Sequence, residues 1–294
     1  MKLGIIGNGF VGSAIANGFS HYVDELKIYD KNKNLSSSTL NECLTSDIVF
    51  VCVPTPMHAS QNGKCDTSII NKCFERINKI GSSAIFVIKS TVPIGTTSKL
   101  QDKFPKLKIL HSPEFLTART AKLDFITPSR NIVGYPKNFY SKIHSVPNIL
   151  MNLYKERFPG TQTFLLDSES TEMIKYVANC FFATKISYFN EVNQVCKKLD
   201  LNFNEVMEGV LSDGRIGVSH YQVPGHDGKE GFGGTCFPKD LNSFINLMKD
   251  NNVNPNVLEA AWKTNLEVRP EKDWENFSSA VTKTKIENYG DPSG

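Results

Sequence analysis

Along this chain, short apolar runs alternate with stretches whose apolar residues recur at helical spacing. Lys2–Ile6, Glu25–Tyr29, Asp47–Val53, Ala84–Lys89, Leu107–Leu110, Asn131–Gly134 and Gln162–Leu166 read as strands. Several are continuously apolar rather than alternating, which is the pattern of parallel strands covered on both faces. Gly9–Phe19, Asp66–Lys79 and Ser141–Arg157 fit crossover helices, the last interrupted at Pro147. The rhythm predicts an α/β fold with a doubly wound, open parallel sheet.

After Leu166 the pattern changes. Asp167 or Ser168 can cap a helix, and neither Pro nor Gly interrupts the chain before Gly209, so Ser168–Leu199 reads as one long helix. Phe203–Leu211, Pro238–Asp250 and Asn256–Val268 continue in the same period. The glycine-rich stretch Ser212–Gly234, which also holds Pro224, is a loop. Loops of that length inside a compact domain are usually functional. The expected organisation is an α/β domain over residues 1–166, an all-helical domain over 167–275 and a frayed polar tail over 276–294, with loss of order beginning after Glu271.

Composition narrows the function classes. Hydrophobic residues make up 40% and charged residues 21% of 294, which is ordinary globular usage. The net charge is only +3 and no cluster of basic residues appears, so nothing marks a nucleic-acid partner. The longest apolar run, Ile48–Val53, is far short of the ~20 residues that span a bilayer. A strand at Lys2 leaves no room for a signal peptide ahead of the fold. Seven cysteines without a C-x-x-C pair argue against a disulfide framework and against a zinc site. The expectation is a reduced, cytoplasmic protein with no metal.

Gly7-Asn8-Gly9-Phe10-Val11-Gly12 spells G-x-G-x-x-G between a strand and a helix, and Asp30 ends the next strand. The first glycine allows the tight turn, the second admits a pyrophosphate to the backbone, and the third lets helix and strand pack closely. Asp30 can bond the adenosine ribose hydroxyls and would repel a 2′-phosphate, which favours NAD over NADP. The first domain is therefore expected to be Rossmann-like. Val51–Pro56, with Val53, Pro54 and Thr55, and Lys89–Gly95, with Thr91, follow apolar strands at the end of the sheet where ligands bind.

A second signal is Gly231-Phe-Gly-Gly-Thr-Cys-Phe-Pro-Lys-Asp240. Cys236 precedes a helix that Pro238 can start, and a thiol at a helix N-terminus is a better nucleophile. Lys239 adds positive charge, and Asp240 lies one turn on, able to handle protons. The other six cysteines read as structural. Lys175 and Asn179 share a face of the long helix, where an ammonium and an amide can donate to an oxyanion. Glu114, after the Leu107–Leu110 strand, is a candidate base.

Taken together, Gly231–Asp240, Lys89–Pro93, Ser112–Leu116, Glu172–Glu191 and Asp213–Gly217 resemble, in order, the motifs of the UDP-glucose/GDP-mannose dehydrogenases. The resemblance runs from residue 1 to about residue 275. It implies oxidation of a nucleotide sugar's primary alcohol to a carboxylate with two equivalents of NAD. UDP-glucose is the leading substrate, with GDP-mannose and UDP-N-acetylhexosamines as alternatives. It implies that Cys236 is the nucleophile, that Lys175 and Asn179 stabilise the oxyanion, and that Asp240 is the proton-handling partner of the catalytic water. Thr91 would hold that water and touch the cofactor, and Glu114 would serve thioester hydrolysis. The implied cofactor set is Gly7, Gly9, Phe10, Val11, Gly12, Asp30, Val53, Pro54, Thr55 and Thr91. The implied substrate set is Glu114, Phe115, Leu116, Lys175, Asn179, Arg215, Gly233 and Lys239. The family's second glutamate is Ala118 here, which bears on hydrolysis, and the family's third, nucleotide-binding domain has no counterpart in this sequence. A homodimer through the central helices is the implied assembly. A hydroxyacid or 6-phosphogluconate-type dehydrogenase, which needs no cysteine, and a cofactor-binding remnant without turnover are the competing readings.

Overall fold

Ile48, Val49, Phe50 and Val51 are all fully buried, which requires cover on both faces of the strand they form. The computed structural model describes residues 1–59, 62–139 and 145–282. Its strands are β1 (Lys2–Ile6), β2 (Glu25–Tyr29), β3 (Ile48–Val51), β4 (Met57–His58), β5 (Ile85–Ile88), β6 (Lys108–His111), β7 (Asn131–Tyr135), β8 (Thr163–Asp167) and β9 (Val281–Thr282). All but β4 and β9 form one sheet, in the order β2-β1-β3-β5-β6-β7-β8. The chain divides into two units, Met1–Thr55 with Thr67–Lys175, and Pro56–Asp66 with the chain from Tyr176 onward.

In the first unit, alternate strand residues feed two cores. Ile48, Phe50, Ile85 and Val87 face Ile15 and Phe19 of α1 (Phe10–Phe19), Phe125 and Leu150. Val49, Val51, Phe86 and Ile88 face the other side. There the first cover is Leu40 of α2 (Leu40–Cys43), then Ile70, Phe74 and Ile77 of α3 (Ser68–Ile80) and Leu100 of α4 (Thr96–Lys103). Phe125 belongs to α5 (Ala121–Ile126) and Leu150 to α6 (Val146–Arg157). Each such side chain contributes about 1.5–3 kcal/mol on burial. The order reverses at β1, so β1 and β3 flank the switch point where doubly wound sheets bind ligands.

The sheet departs from the expected all-parallel form at one place, where β7 runs antiparallel to β6 through His111 and Gly134. Its connector packs α5 on α1 rather than crossing over the sheet, so the chain comes back towards β6 and the close of β7, at Gly134, meets the end of β6. Pro147 does not interrupt α6, as expected from sequence, but lies in its first turn, where no intrahelical donor is lost; residues 141–144 of that expected helix lie outside the described residues.

The long helix α7 (Ser168–Lys198) begins in the first unit. The division between units falls inside it, beyond the expected boundary near residue 166. Its first turns are bound to the sheet domain by polar contacts. Thr171 Oγ1 lies 2.8 Å from His111 Nδ1, and Glu172 accepts from the N–H groups of Gly95 and Thr97 at 2.5 and 2.8 Å.

The second unit joins the rest of α7 to α8 (Phe203–Leu211), α9 (Phe237–Asp250) and α10 (Asn256–Val268). Cys180, Ala183, Phe232, Leu241 and Ile245 form one of its cores. It is helical with one small addition, a parallel pairing of β4 with β9. That pairing corrects the expectation of a frayed tail after Glu271, because Trp274, Ala280 and Val281 are buried against Met57. Residues 283–294 lie outside the described residues. No described helix is long and apolar enough to cross a membrane.

Candidate active site

The glycine loop between β1 and α1 has the shape its sequence predicts. Gly7 has φ +93°, and a Cβ there would fall 2.6 Å from the Cys52 carbonyl oxygen. A Cβ on Gly12 would fall 2.0 Å from the carbonyl oxygen of Gly7. At Gly9 a Cβ would meet nothing within 4 Å, so the space above the loop is open. Gly9 gives α1 no side-chain cap, and the first turn, with Phe10 and Val11, holds no acid. The N–H groups of that turn are thus left for an anion. Asp30, at the end of β2, accepts from Asn8 N at 2.7 Å and Asn32 N at 2.8 Å. A carboxylate has about four acceptor positions, so Asp30 can still take ribose hydroxyls. These residues fit a dinucleotide.

The loops after β3 and β5 are tied together. Thr55 Oγ1 donates to the Thr91 carbonyl at 2.6 Å, and Ser90 Oγ to the Val53 carbonyl at 2.6 Å, with Pro54 between the two anchors. Sequence spacing held no sign of this latch between segments 36 residues apart.

Glu114 and Lys175 form a buried ion pair. Lys175 Nζ donates to Glu114 Oε1 at 2.9 Å and to its carbonyl at 2.7 Å. Burial alone would raise the Glu114 carboxyl, but the Lys175 ammonium and the Leu116 N–H, 2.6 Å from Oε2, hold it below its ordinary value. Lys175 also lies 5.5 Å from the Phe115 ring centre. Two neighbours went unassigned in the sequence. Lys89 is buried, donating to Ser112 Oγ at 3.2 Å and the Pro113 carbonyl at 3.3 Å. His111 is held neutral, its pKa pushed down to about 3 by burial and by the charge of Lys89.

In the second unit Cys236 is the N-cap of α9, and its carbonyl accepts from Asp240 N at 3.0 Å. Asp240 is buried with both oxygens engaged, Oδ1 by Lys239 and Oδ2 by Asn179 Nδ2 at 2.6 Å. Burial alone lowers the Lys239 ammonium, yet the Asp240 carboxylate and then the Cys236 sulfur push it above its ordinary value. A thiol between a helix N-terminus and an ammonium has the setting of a nucleophile. Burial drives Cys52, Cys65 and Cys73 up to about 12 and Cys43 up to about 11.

Some expected residues sit differently. Lys175 and Asn179 are one turn apart on α7, but each is committed to a carboxylate, Glu114 and Asp240 respectively, rather than left as a free pair of donors. Arg215 is exposed and grips Asp213 of its own loop at 2.9 Å. Gly233 has a packing reason for being glycine, since a Cβ would fall 2.2 Å from Asp273 Oδ1 and 2.5 Å from the Arg269 guanidinium. Buried Arg269 ties the loop down through Asp227 and Asp273, while Asn265 holds both backbone groups of Phe232. Sequence reading missed these anchors, which carry no motif.

Residues 23–157 match the NAD binding domain, and residues 169–267 the central domain, of the UDP-glucose/GDP-mannose dehydrogenase family. A UDP-glucose 6-dehydrogenase of Rickettsia conorii is 33% identical over 90% of this chain and 66% of its own length. One from Campylobacter jejuni is 31% identical over 90% of this chain and 72% of its own. The chain thus spans about two thirds of the length of these curated relatives. Among solved structures, a UDP-glucose dehydrogenase from Pyrobaculum islandicum superposes with a TM-score of 0.77 at 26% identity, covering 94% of this chain and 70% of that one.

Proposed function

Because the chain belongs to the UDP-glucose/GDP-mannose dehydrogenase family, we propose that it oxidises the primary alcohol of a nucleotide sugar, UDP-glucose first, to the carboxylate. The observation that carries this reading is Cys236 at the start of α9, with the Lys239–Asp240–Asn179 cluster one turn along. A hydroxyacid dehydrogenase has no use for that thiol.

NAD, when bound, accepts the hydride of each oxidation. The Gly7–Gly12 loop binds its pyrophosphate and Asp30 its adenosine ribose, with Val53, Pro54, Thr55 and Thr91 along its course. The first oxidation leaves an aldehyde. The Cys236 sulfur then bonds to the aldehyde carbon, and the former carbonyl oxygen takes a proton. Loss of hydride from that carbon and of the proton from its oxygen leaves a thioester. Water adds to the thioester carbon, the C–S bond breaks, and the acid departs as the thiol is regenerated. Lys175 and Asn179, each with one N–H beyond its bonds to Glu114 and Asp240, donate to the oxygen on which charge develops. Asp240, clamped by Lys239 and Asn179, handles the water's proton, and Glu114 shares the hydrolytic step. Ala118 stands where the family has a carboxylate, and hydrolysis is the step on which that difference bears. Phe115, Leu116, Arg215 and Gly233 complete the sugar and phosphate contacts.

Purified chain assayed with UDP-glucose, GDP-mannose and UDP-N-acetylglucosamine in parallel is expected to form two NADH per sugar with one of them. NAD⁺ is expected to be used at least about tenfold better than NADP⁺, because Asp30 bonds the ribose and repels a 2′-phosphate. No NADH with any of the three overturns the enzymatic reading. Equal kcat/KM for the two cofactors removes Asp30 from the ribose.

The reading extends to assembly. Met173, Val177, Phe181, Tyr188 and Val195 are exposed on α7, Phe181 by 62%. At about 100° per residue they fall within an arc of roughly 80°, a stripe that water covers poorly. A homodimer through α7 is the proposed state. Sedimentation at micromolar concentration is expected to give twice the chain mass; a clean monomer refutes it.

A further inference from the structure

The connector between β6 and β7 brings positive charge onto the glycine loop's helix. Phe125 of α5 packs so closely on α1 that a Cβ at Gly18 would fall 2.3 Å from its ring. This contact lays residues 118–123 along the start of α1. There they line, with Phe10 and Ser13, a cavity of about 390 Å³. Its lining includes Arg119 and Lys122 and no Asp or Glu. Among the described residues neither cation has an ion-pair partner. The nearest acid in the chain, Asp124, instead accepts from Thr117 N at 2.7 Å and Thr120 Oγ1 at 3.0 Å, securing its own turn.

Two cations beside the positive end of a helix dipole, with no carboxylate among them, repel one another until an anion arrives. We propose that Arg119, seconded by Lys122, is a ligand of the cofactor's pyrophosphate beside the first turn of α1. The proposal rests on the NAD reading above. Backbone N–H groups of α1 hold one face of the phosphates, and the planar guanidinium offers the paired donors that phosphate oxygens accept. Arg119 follows Ala118, so the side of the site that lacks a carboxylate is the side that carries this charge.

Titration of the full chain with NADH, followed by nicotinamide fluorescence, tests it, with ADP and adenosine as competing probes. Arg119→Ala is expected to weaken NADH and ADP about tenfold, to leave adenosine unchanged and to flatten the salt dependence of NADH binding. Arg119→Lys recovers part of the loss. Thermal unfolding of the exposed Arg119→Ala variant stays at the parent value, which separates the loss from misfolding. NADH and ADP binding as tight in Arg119→Ala and Lys122→Ala as in the parent overturns the proposal alone. A parent chain that binds no NADH overturns the NAD reading and this proposal with it.

Discussion

A Cys236→Ala variant is expected to lose acid production on the order of 10³-fold, about 4 kcal/mol of activation free energy. The first hydride transfer needs no sulfur bond, so slow formation of aldehyde, one NADH per sugar, is what survives. The second transfer has no covalent adduct to draw from. The Cys236→Ser variant should stop later. An ester forms in place of the thioester, and an alkoxide leaves more reluctantly than a thiolate, so substrate carbon accumulates on the protein and is visible by intact mass. Uronic acid formed at the parent rate by either variant would falsify the covalent route.

Lys175→Met should produce the largest loss of stability among the site residues. It leaves the Glu114 carboxylate buried without its ammonium, and breaking such a pair from one side costs about 3–5 kcal/mol. The pH dependence carries the sign. In the parent, Glu114 titrates below its unfolded value, so its contribution is present above about pH 4.5 and fades as pH falls through the lower, folded pKa. In the variant burial is opposed only by the Leu116 N–H and the charge of Lys89, and the carboxyl titrates higher than in the parent. The gap in urea stability between parent and variant is therefore widest near neutral pH and narrows in acid as Glu114 takes up a proton. Adding Glu114→Gln to Lys175→Met should recover much of the loss at neutral pH. A variant within about 1 kcal/mol of the parent at pH 7 would show that the pair is not the anchor its geometry implies.

That pair also marks where sequence reading stops. Glu114 and Lys175 were both legible as reactive types, one after a strand and one on a helix face, but they lie 61 residues apart and nothing in their spacing marries them. Asn179 and Asp240 are likewise 61 residues apart. The sheet was legible because Ile48–Val51 and Ile85–Ile88 are apolar at every position, a demand that only two-sided cover explains. The glycine loop was legible because backbone conformation and close approach both forbid a side chain at Gly7. The short helices were not. In α2, Thr39 and Glu42 form a reciprocal cap that the sequence displayed, but four helical residues are too few for a period to show. The β7 reversal was hidden too, since parallel and antiparallel strands with the same cover share one hydrophobic pattern.

The excursion Pro56–Asp66 has a consequence for how the protein comes into being. Asp66 bonds Thr282 across 216 residues of chain, and the Met57 N–H donates to the Ala280 carbonyl at 2.7 Å. During synthesis from the N-terminus, the first unit's strands are complete while this segment still lacks the partner that will cover Met57. The second unit closes last, by capturing a loop that left the ribosome long before. Because closure entropy grows only with the logarithm of loop length, the wait costs time more than stability. A gene cut within α7 would leave the downstream half without β4, and Trp274 and Val281 without Met57 to bury them.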